Sequence, residues 1–142
     1  MDENKIDNIK NHLEFLGYDV ESRTDDKGTK SLAAKSQGKP NLFIWFGKPE
    51  ENRQHVLFSS TWNGVKKVNT VEQFNYINKL NNDLLVTKVF IDFSDDTLMF
   101  RGAYTADYNK KAFGDFLDLF LDGIKQAMVG DEFKKLFLDE SK

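Results

Sequence analysis

Cysteine is absent from the 142-residue chain, and proline and histidine occur only twice each. Because there are no thiols, disulfides and thiolate metal sites are excluded. The longest unbroken apolar run, Leu42–Phe46, is far shorter than the roughly 20 apolar residues that a membrane-spanning helix needs. The chain starts with acidic and polar residues, which is the wrong character for a secretory signal. We therefore expect a cytoplasmic protein without a membrane partner.

Clusters of positive charge are also missing. The chain has 20 lysine and arginine residues against 23 aspartate and glutamate residues, which gives a net charge of −3. No three basic residues follow one another. Since binding to a phosphate backbone depends on clustered Lys and Arg, we expect no nucleic-acid partner.

Aromatic residues, by contrast, are plentiful: the chain has 13 phenylalanines, 4 tyrosines and 2 tryptophans. Each such ring can bury about 150–250 Å² of surface. Charged residues make up 30% of the chain, as in other globular proteins. There is no linker, long repeat or low-complexity tract, and the length fits a single domain over residues 1–142.

Three segments have apolar residues at the spacing of a helix. The first is predicted to end at Gly17, since glycine adopts the left-handed backbone of a helix terminus. The second starts at Thr70, because Thr70 and Gln73 have the spacing of a capping box. The third runs from about residue 110 to 128. The predicted core-facing residues are Ile6, Ile9, Leu13 and Leu16 in the first helix, Val71, Phe74, Ile77 and Leu80 in the second, and Phe113, Phe116, Leu117, Phe120, Ile124 and Ala127 in the third.

Six further segments are predicted to be strands: Tyr18–Thr24, Ser31–Ser36, Leu42–Phe46, His55–Trp62, Leu85–Phe93 and Thr97–Tyr104. Short turns separate neighbouring strands, which favours an antiparallel meander sheet with the helices packed on it. The predicted fold class is therefore α+β, in the order α-ββββ-α-ββ-α. A short C-terminal tail, residues 130–142, is predicted to hold a small helix with Phe133, Leu136 and Phe137.

This order of elements resembles the YbjN family over nearly the whole chain. The most specific stretch is Thr70–Asn78, which leads into the Lys88–Tyr104 hairpin and then into the aromatic third helix. The strand Leu57–Trp62 also resembles the family's strand that ends in Ser-Trp before the middle helix. The likeness lies in the order of the elements more than in any one short motif.

One motif of the family is only partly kept. The family tends to carry Asn-x-Trp-Asn on its middle helix; Asn75 and Asn78 match it, whereas Ile77 stands where tryptophan is usual. The resemblance implies the fold of the type III secretion chaperones and a domain that forms a homodimer and binds a protein partner. It implies no catalytic residue and no cofactor, and the change at Ile77 puts any role of that tryptophan in doubt.

The predicted partner-binding residues lie on strands. Leu42–Phe46 is apolar on both faces, so this strand is covered on both sides or lies in an interface. If helices cover one face, the other face carries Phe43, Trp45, Lys88, Phe90 and Arg101. A mixed aromatic and basic surface is typical of protein-binding hot spots, so these five residues are the predicted site. Burial in the core is the alternative interpretation.

The predicted dimer contact lies on the third helix. Ala112 and Leu119 stand beside its core-facing residues and widen the apolar stripe. A second subunit would cover such a widened stripe. Core burial is again the alternative.

Asparagines crowd the second helix, although asparagine is a poor helix former. Asn75, Asn78 and Asn82 fall along one side and could form a hydrogen-bonding surface. The simpler interpretation is that Asn78 ties the helix to the sheet, while Asn81 and Asn82 end the helix.

Residues suited to catalysis or to metal binding are few. Nucleophilic catalysis needs a serine or threonine beside a base, commonly histidine, but His12 and His55 are both predicted to lie on the surface. Asp92, Asp95 and Asp96 cluster at a hairpin tip, yet the spacing of a calcium loop is missing, so a solvated turn is the better interpretation. We expect no catalytic residue, no metal and no cofactor.

These observations favour a non-catalytic protein-binding or regulatory module with a chaperone-like fold that acts as a homodimer. Two alternatives remain open. One is a small immunity or antitoxin-like inhibitor, which would also be acidic and compact. The other is a small-ligand-binding protein or enzyme, for which a polar pocket containing His12 or His55 would be the sign.

Overall fold

A computed structural model describes residues 3–47, 55–62, 66–92 and 97–138 of the chain. The elements follow the predicted order α-ββββ-α-ββ-α, and a short fourth helix lies in the C-terminal tail. Their bounds are α1 Glu3–Phe15, β1 Asp19–Thr24, β2 Lys30–Lys35, β3 Leu42–Phe46, β4 Val56–Trp62, α2 Val71–Asp83, β5 Lys88–Asp92, β6 Thr97–Tyr104, α3 Lys110–Met128 and α4 Asp131–Phe137.

The six strands form one antiparallel sheet in the order β1-β2-β3-β4-β6-β5. The predicted α+β class and antiparallel sheet are confirmed by this topology, but only β1 to β4 form a meander, because β6 rather than β5 lies beside β4. β1 and β5 are therefore the two edge strands. Within the described residues, no helix has the length and apolar character needed to cross a membrane.

The chain divides into two compact units. Unit 1 comprises Met1–Ser60 and Ala103–Phe116, and unit 2 comprises Thr61–Gly102 and Leu117–Lys142. β4, β6 and α3 each contribute residues to both units. The single domain over residues 1–142 stays a prediction.

In unit 1 the side chains of β3 alternate between a buried face and a face that is partly open. The buried side chains of β3 are at most 3% exposed: Leu42, Ile44 and Phe46. Rings from α3 cover this face, since the centroid of Phe58 lies 5.7 Å from that of Phe113 and 5.2 Å from that of Phe116. The predicted aromatic stripe of α3 thus packs on the sheet of unit 1.

α1 ends at the predicted glycine. Gly17 has a φ of 96°, which lies in the left-handed region. The Tyr18 N–H donates to the Leu13 carbonyl and the Gly17 N–H donates to the Glu14 carbonyl, both at 3.0 Å. These two bonds form a Schellman motif, so the chain turns directly from α1 into β1.

β1 is more exposed than its alternating sequence predicts. Tyr18, just before the strand, is buried, but within β1 only Val20 is partly buried and the other residues are exposed. The reason is that β1 lies at the edge of the sheet. Alternation along a strand does not reveal where that strand lies in the sheet.

In unit 2, buried side chains line one side of α3 as predicted: Leu117, Phe120, Ile124 and Ala127. A close approach occurs at Gly123, where an added Cβ would lie 2.9 Å from the Cβ of Thr87. The Thr87 hydroxyl donates to the Phe120 carbonyl at 3.1 Å. Only glycine therefore fits where α3 meets the segment that enters β5.

α2 begins with the predicted capping box. The Thr70 hydroxyl accepts a hydrogen bond from the Gln73 N–H at 3.2 Å, and the Gln73 side chain accepts one from the Thr70 N–H at 3.0 Å. The predicted apolar stripe is wrong at its start, since Val71 is 69% exposed and Phe74 is 45% exposed. The buried residue of this helix is Gln73, which also donates to the Leu136 carbonyl.

The predicted tie between α2 and the sheet exists, but Asn81 makes it and Asn78 is exposed. The Asn81 amide nitrogen donates to the Val89 carbonyl at 2.9 Å, and the Asn81 carbonyl accepts from the Val89 N–H at 2.7 Å. Both backbone groups of Val89 on the outer side of β5 are thereby occupied.

Candidate protein-binding surface

The open face of unit 1 carries two aromatic side chains on alternate positions of β3. Trp45 is 43% exposed and Phe43 is half-buried. Their ring centroids are 4.9 Å apart, with the ring planes inclined at 41°. Such a tilted pair is a favourable aromatic arrangement. The two rings form one apolar surface that solvent reaches.

Short side chains flank these rings on the neighbouring strands. Ser31 and Ala33 of β2 lie opposite Trp45 and Phe43, and Ser59 of β4 lies opposite Phe43 on the other side. All three small residues are 5–7% exposed. Because these side chains are too short to cover the outer sides of the rings, the rings are the part of this face that a partner would meet.

Arg23, which the sequence analysis missed, adds a positive charge at this surface. Its guanidinium carbon lies 5.6 Å from the centroid of Phe43, within the range of a cation–π contact. A guanidinium nitrogen also lies 3.3 Å from the Glu21 carboxylate. The hairpin turn fixes the register of β1 on β2, and that turn is the signal that could have placed Arg23 here. We call Arg23, Phe43 and Trp45 the ring surface.

In unit 2, the three other predicted residues lie together. Lys88 of β5 is opposite Arg101 of β6, and both are exposed. The guanidinium carbon of Arg101 lies 4.9 Å from the centroid of Phe90. Met99, which was not predicted, lies opposite Phe90. We call Lys88, Phe90 and Arg101 the basic group.

The two residues predicted for the dimer contact lie outside the core. Ala112 is exposed, and Leu119 is 46% exposed. Leu119 helps to line a small cavity of about 170 Å³ in unit 2, together with the highly exposed Leu85. Their role as a dimer contact stays a prediction.

A larger cavity of about 580 Å³ lies in unit 2 at the start of α2. Lysines and glutamates are prominent in its lining, which consists of Lys66, Lys67, Asn69, Thr70, Glu72, Gln73, Glu132, Lys135 and Leu136. The buried amide of Gln73 accepts from the Asn69 N–H at 2.9 Å and donates to the Leu136 carbonyl at 2.8 Å. Because this amide is satisfied by the protein itself, it is not held ready for a ligand.

Neither of these two cavities is lined by a histidine. His12 and His55 are half-buried, so both are partly accessible to solvent. The Nδ1 atom of His12 lies 3.0 Å from the Tyr108 hydroxyl. In the part of the chain that the structure describes, no three histidine, aspartate or glutamate residues are grouped so as to hold a metal ion. Asp95 and Asp96 lie outside the described residues.

Two polar side chains are buried in unit 1 away from the ring surface. Lys5 is 5% exposed; burial lowers the pKa of its ammonium group, an effect that the Asp107 carboxylate opposes. The Tyr18 hydroxyl is buried without a hydrogen-bond partner among the described residues, and burial raises the pKa of Tyr18. Neither group lines the two cavities described above.

Comparison with known proteins identifies a family. The model of the YbjN family, described as "Putative bacterial sensory transduction regulator", matches residues 5–128. The chain therefore belongs to the YbjN family, as its sequence predicts. No curated protein and no solved structure matches the chain. The likeness to the type III secretion chaperones consequently stays a prediction.

Proposed function

We propose that this YbjN-family chain is a non-catalytic regulatory module that binds a protein partner through the ring surface of unit 1 and acts as a homodimer. A regulatory role agrees with the description of the family. The observation that carries the proposal is the exposure of Trp45, 43%, beside the half-buried ring of Phe43. A tryptophan in the core would be covered.

The chemistry of the ring surface suits a polypeptide. Tryptophan and arginine are enriched among the residues that dominate binding energy at protein interfaces. In the ring surface, Phe43 contacts one residue of each type. Its ring centroid lies 4.9 Å from that of Trp45 and 5.6 Å from the guanidinium carbon of Arg23. A partner segment with apolar side chains would cover the rings.

The basic group of unit 2 favours the same kind of partner. Lys88 and Arg101 are directly opposite each other, and like charges in such a pair repel. A carboxylate from a partner would relieve this repulsion. A partner segment at the basic group is therefore expected to be acidic.

Parallel capture with three forms of the protein tests the ring surface. Wild type, Trp45→Ala and Phe74→Ala are immobilised at equal density and exposed to the same cell lysate. The proteins that each form retains are identified by mass spectrometry. Phe74→Ala is the matched control, because Phe74 is an aromatic residue of nearly the same exposure, 45% against 43% for Trp45. We expect a protein that wild type and Phe74→Ala retain and that Trp45→Ala loses by at least about tenfold in affinity.

Folding is checked in the same variants. Because Trp45 is largely exposed, Trp45→Ala should unfold cooperatively and change stability by less than about 1 kcal/mol. If every captured protein binds Trp45→Ala as well as wild type, the ring surface is not the binding site. If Trp45→Ala fails to fold, the comparison is repeated with Trp45→Phe, which keeps an aromatic ring at this position.

The homodimer is a separate part of the proposal. The predicted contact residues Ala112 and Leu119 are exposed on α3, where a second subunit could cover them. Sedimentation velocity of the pure protein over a wide concentration range tests the dimer, and a strictly monomeric protein would contradict it. The inhibitor alternative is checked on the same captured protein, whose own activity would fall when the chain is bound.

A further inference from the structure

The two edge strands of the sheet differ in how their outer sides are covered. On β5, the Asn81 side chain occupies both backbone groups of Val89, at 2.9 and 2.7 Å. On β1, Asp19–Thr24, no side chain in the described parts of the chain bonds to the outward backbone groups. An edge strand with unpaired N–H and C=O groups is a template for another strand.

The turn after β1 determines which of its backbone groups point outward. The Asp25 N–H donates to the Thr29 carbonyl at 3.0 Å, so these residues form a hydrogen-bonded pair of the β1–β2 ladder. Hydrogen-bonded and non-hydrogen-bonded pairs alternate along an antiparallel ladder. The register continues without a bulge from Thr24 opposite Lys30 back to Asp19 opposite Lys35. The residues whose backbone groups point outward are therefore Val20, Ser22 and Thr24.

We propose that β1 is the surface through which two copies of this chain pair, antiparallel about a two-fold axis at Ser22. This inference rests on the proposed homodimer, and it names β1 as the contact in place of the predicted α3 residues Ala112 and Leu119. In this register Ser22 faces Ser22 of the second copy, and Val20 faces its Thr24. All of these residues have outward backbone groups, so about six hydrogen bonds form across the axis, two for each pair.

Charge complementarity selects the second copy as the occupant. In the same register Glu21 of each copy faces Arg23 of the other, in non-hydrogen-bonded pairs whose side chains are close. Both side chains are available, since Glu21 is 68% exposed and Arg23 is 48% exposed. Within one chain they already lie 3.3 Å apart, so the pairing creates four alternating charges across the axis.

The registers shifted by one residue or by half a residue are worse. An axis at Glu21 would oppose Glu21 to itself, and an axis at Arg23 would oppose Arg23 to itself. Both would also form fewer hydrogen bonds, because the paired stretch is shorter. An axis between two residues would place an outward residue opposite an inward one, so the ladder could not form.

The register at Ser22 has one kind of unfavourable pair, Asp19 opposite Asp25 of the second copy, which occurs twice because of the two-fold symmetry. The Asp25 carboxylate, however, accepts hydrogen bonds from the N–H groups of Lys27 and Thr29 at 2.9 and 2.8 Å. These hydrogen bonds hold the Asp25 carboxylate against its own turn. The pair lies at the end of the paired stretch, where the strands can also diverge.

Charge exchange tests the pairing. Glu21→Arg and Arg23→Glu each turn two attractive pairs into two repulsive pairs, so each variant alone should dimerise at least about tenfold more weakly than wild type. An equimolar mixture of the two variants restores both attractive pairs and should dimerise as wild type does. Sedimentation velocity at low and high salt measures this, and high salt should reduce the differences.

Two controls separate β1 from other surfaces. Lys79→Glu reverses an exposed charge on α2 and should leave dimerisation unchanged. Leu119→Asp would abolish the dimer if α3 were the contact. A dimer that resists both β1 variants and yields to Leu119→Asp overturns the β1 pairing but leaves the homodimer. A wild-type monomer at all concentrations overturns both, and leaves the capture test of Trp45 unaffected.

A single introduced cysteine gives a second measurement. No other thiol can form the cross-link, because the chain has no cysteine of its own. Ser22 lies on the proposed axis, where opposite Cα atoms of a hydrogen-bonded pair are about 5.5 Å apart. That separation suits a disulfide. Ser22→Cys should therefore oxidise to a covalent dimer, whereas Asn75→Cys on exposed α2 should not. Equal cross-linking of both variants would count against the pairing.

Discussion

Replacing Gln73 with alanine tests whether one buried amide joins the start of α2 to the end of α4. The Gln73 side chain is 3% exposed. It accepts from the N–H groups of Asn69 and Thr70 at 2.9 and 3.0 Å. It donates to the carbonyls of Lys67 and Leu136 at 3.2 and 2.8 Å. Alanine removes all of these hydrogen bonds at once.

The magnitude follows from which groups water can reach afterwards. Asn69 and Thr70 are exposed, so their N–H groups can rehydrate, and the loss there is that of a helix cap, about 1 kcal/mol. The two carbonyls, of Lys67 and Leu136, lose about 1 kcal/mol each, as for typical hydrogen bonds. We therefore expect Gln73→Ala to lower the free energy of unfolding by about 3 kcal/mol.

Urea denaturation followed by circular dichroism measures this loss, with Thr70→Ala as the control. Thr70→Ala removes the cap hydroxyl and leaves the bonds to Lys67 and Leu136, so it should cost about 1 kcal/mol. The difference of about 2 kcal/mol reports the two bonds that Gln73 donates, one to Lys67 and one to Leu136 in α4. If the two variants lose the same stability, the bridge has no energetic effect. A loss below about 1 kcal/mol for Gln73→Ala would refute the reasoning altogether.

Other substitutions give separate tests by chemical or thermal denaturation. Tyr18→Phe removes a buried hydroxyl that has no partner among the described residues, so stability should stay the same or rise by about 1 kcal/mol; a clear loss would contradict this. Gly123→Ala should cost about 1–3 kcal/mol, because the new Cβ would lie 2.9 Å from the Cβ of Thr87. Gly114→Ala in the same helix meets no atom closer than 3.7 Å and should stabilise by about 0.5–1 kcal/mol; equal effects of the two alanines would refute the crowding at Gly123. Burial and the Glu132 carboxylate raise the pKa of Tyr76 above its unfolded value. The stability that this tyrosine contributes is therefore complete below about pH 10 and lost as pH rises through the folded-state pKa. Tyr76→Phe should flatten that alkaline fall, and an unchanged slope would show that Tyr76 is not its cause.

The features that could be predicted from the sequence are those that depend on nearby residues. The capping box of Thr70 and Gln73 and the glycine terminus at Gly17 are fixed by spacings of a few residues. The aromatic stripe of α3 is regular over its whole length, so its buried side could also be predicted.

The features that could not be predicted depend on strand order and on distant chain segments. Val71 and Phe74 have the spacing of a buried stripe, yet both are exposed, because α2 is held instead by the bond from Gln73 to Leu136. Asn81 rather than Asn78 links α2 to β5, because the hydrogen bonds require an asparagine that lies beside the backbone of Val89. No periodicity contains that information.

The candidate site was found only in part for a related reason. The five predicted residues follow from composition and alternation, which identify a face of the sheet but not its neighbours. Arg23 contacts Phe43 only because the registers of β1 on β2 and of β2 on β3 place the two residues close together along the sheet. Met99 likewise joins Phe90 through the β5–β6 register.

Exposure of a ring does not by itself indicate a binding surface, and Trp45 is distinguished by its place on a paired strand beside a second ring, Phe43. Phe15 is 84% exposed, but it is the last residue of α1. Phe74 is 45% exposed on α2. Trp45 is held by backbone pairing on both sides, opposite Ser31 on β2 and Leu57 on β4. Because the backbone is already ordered, a partner that covers this ring orders only side chains, so more of the buried area contributes to affinity.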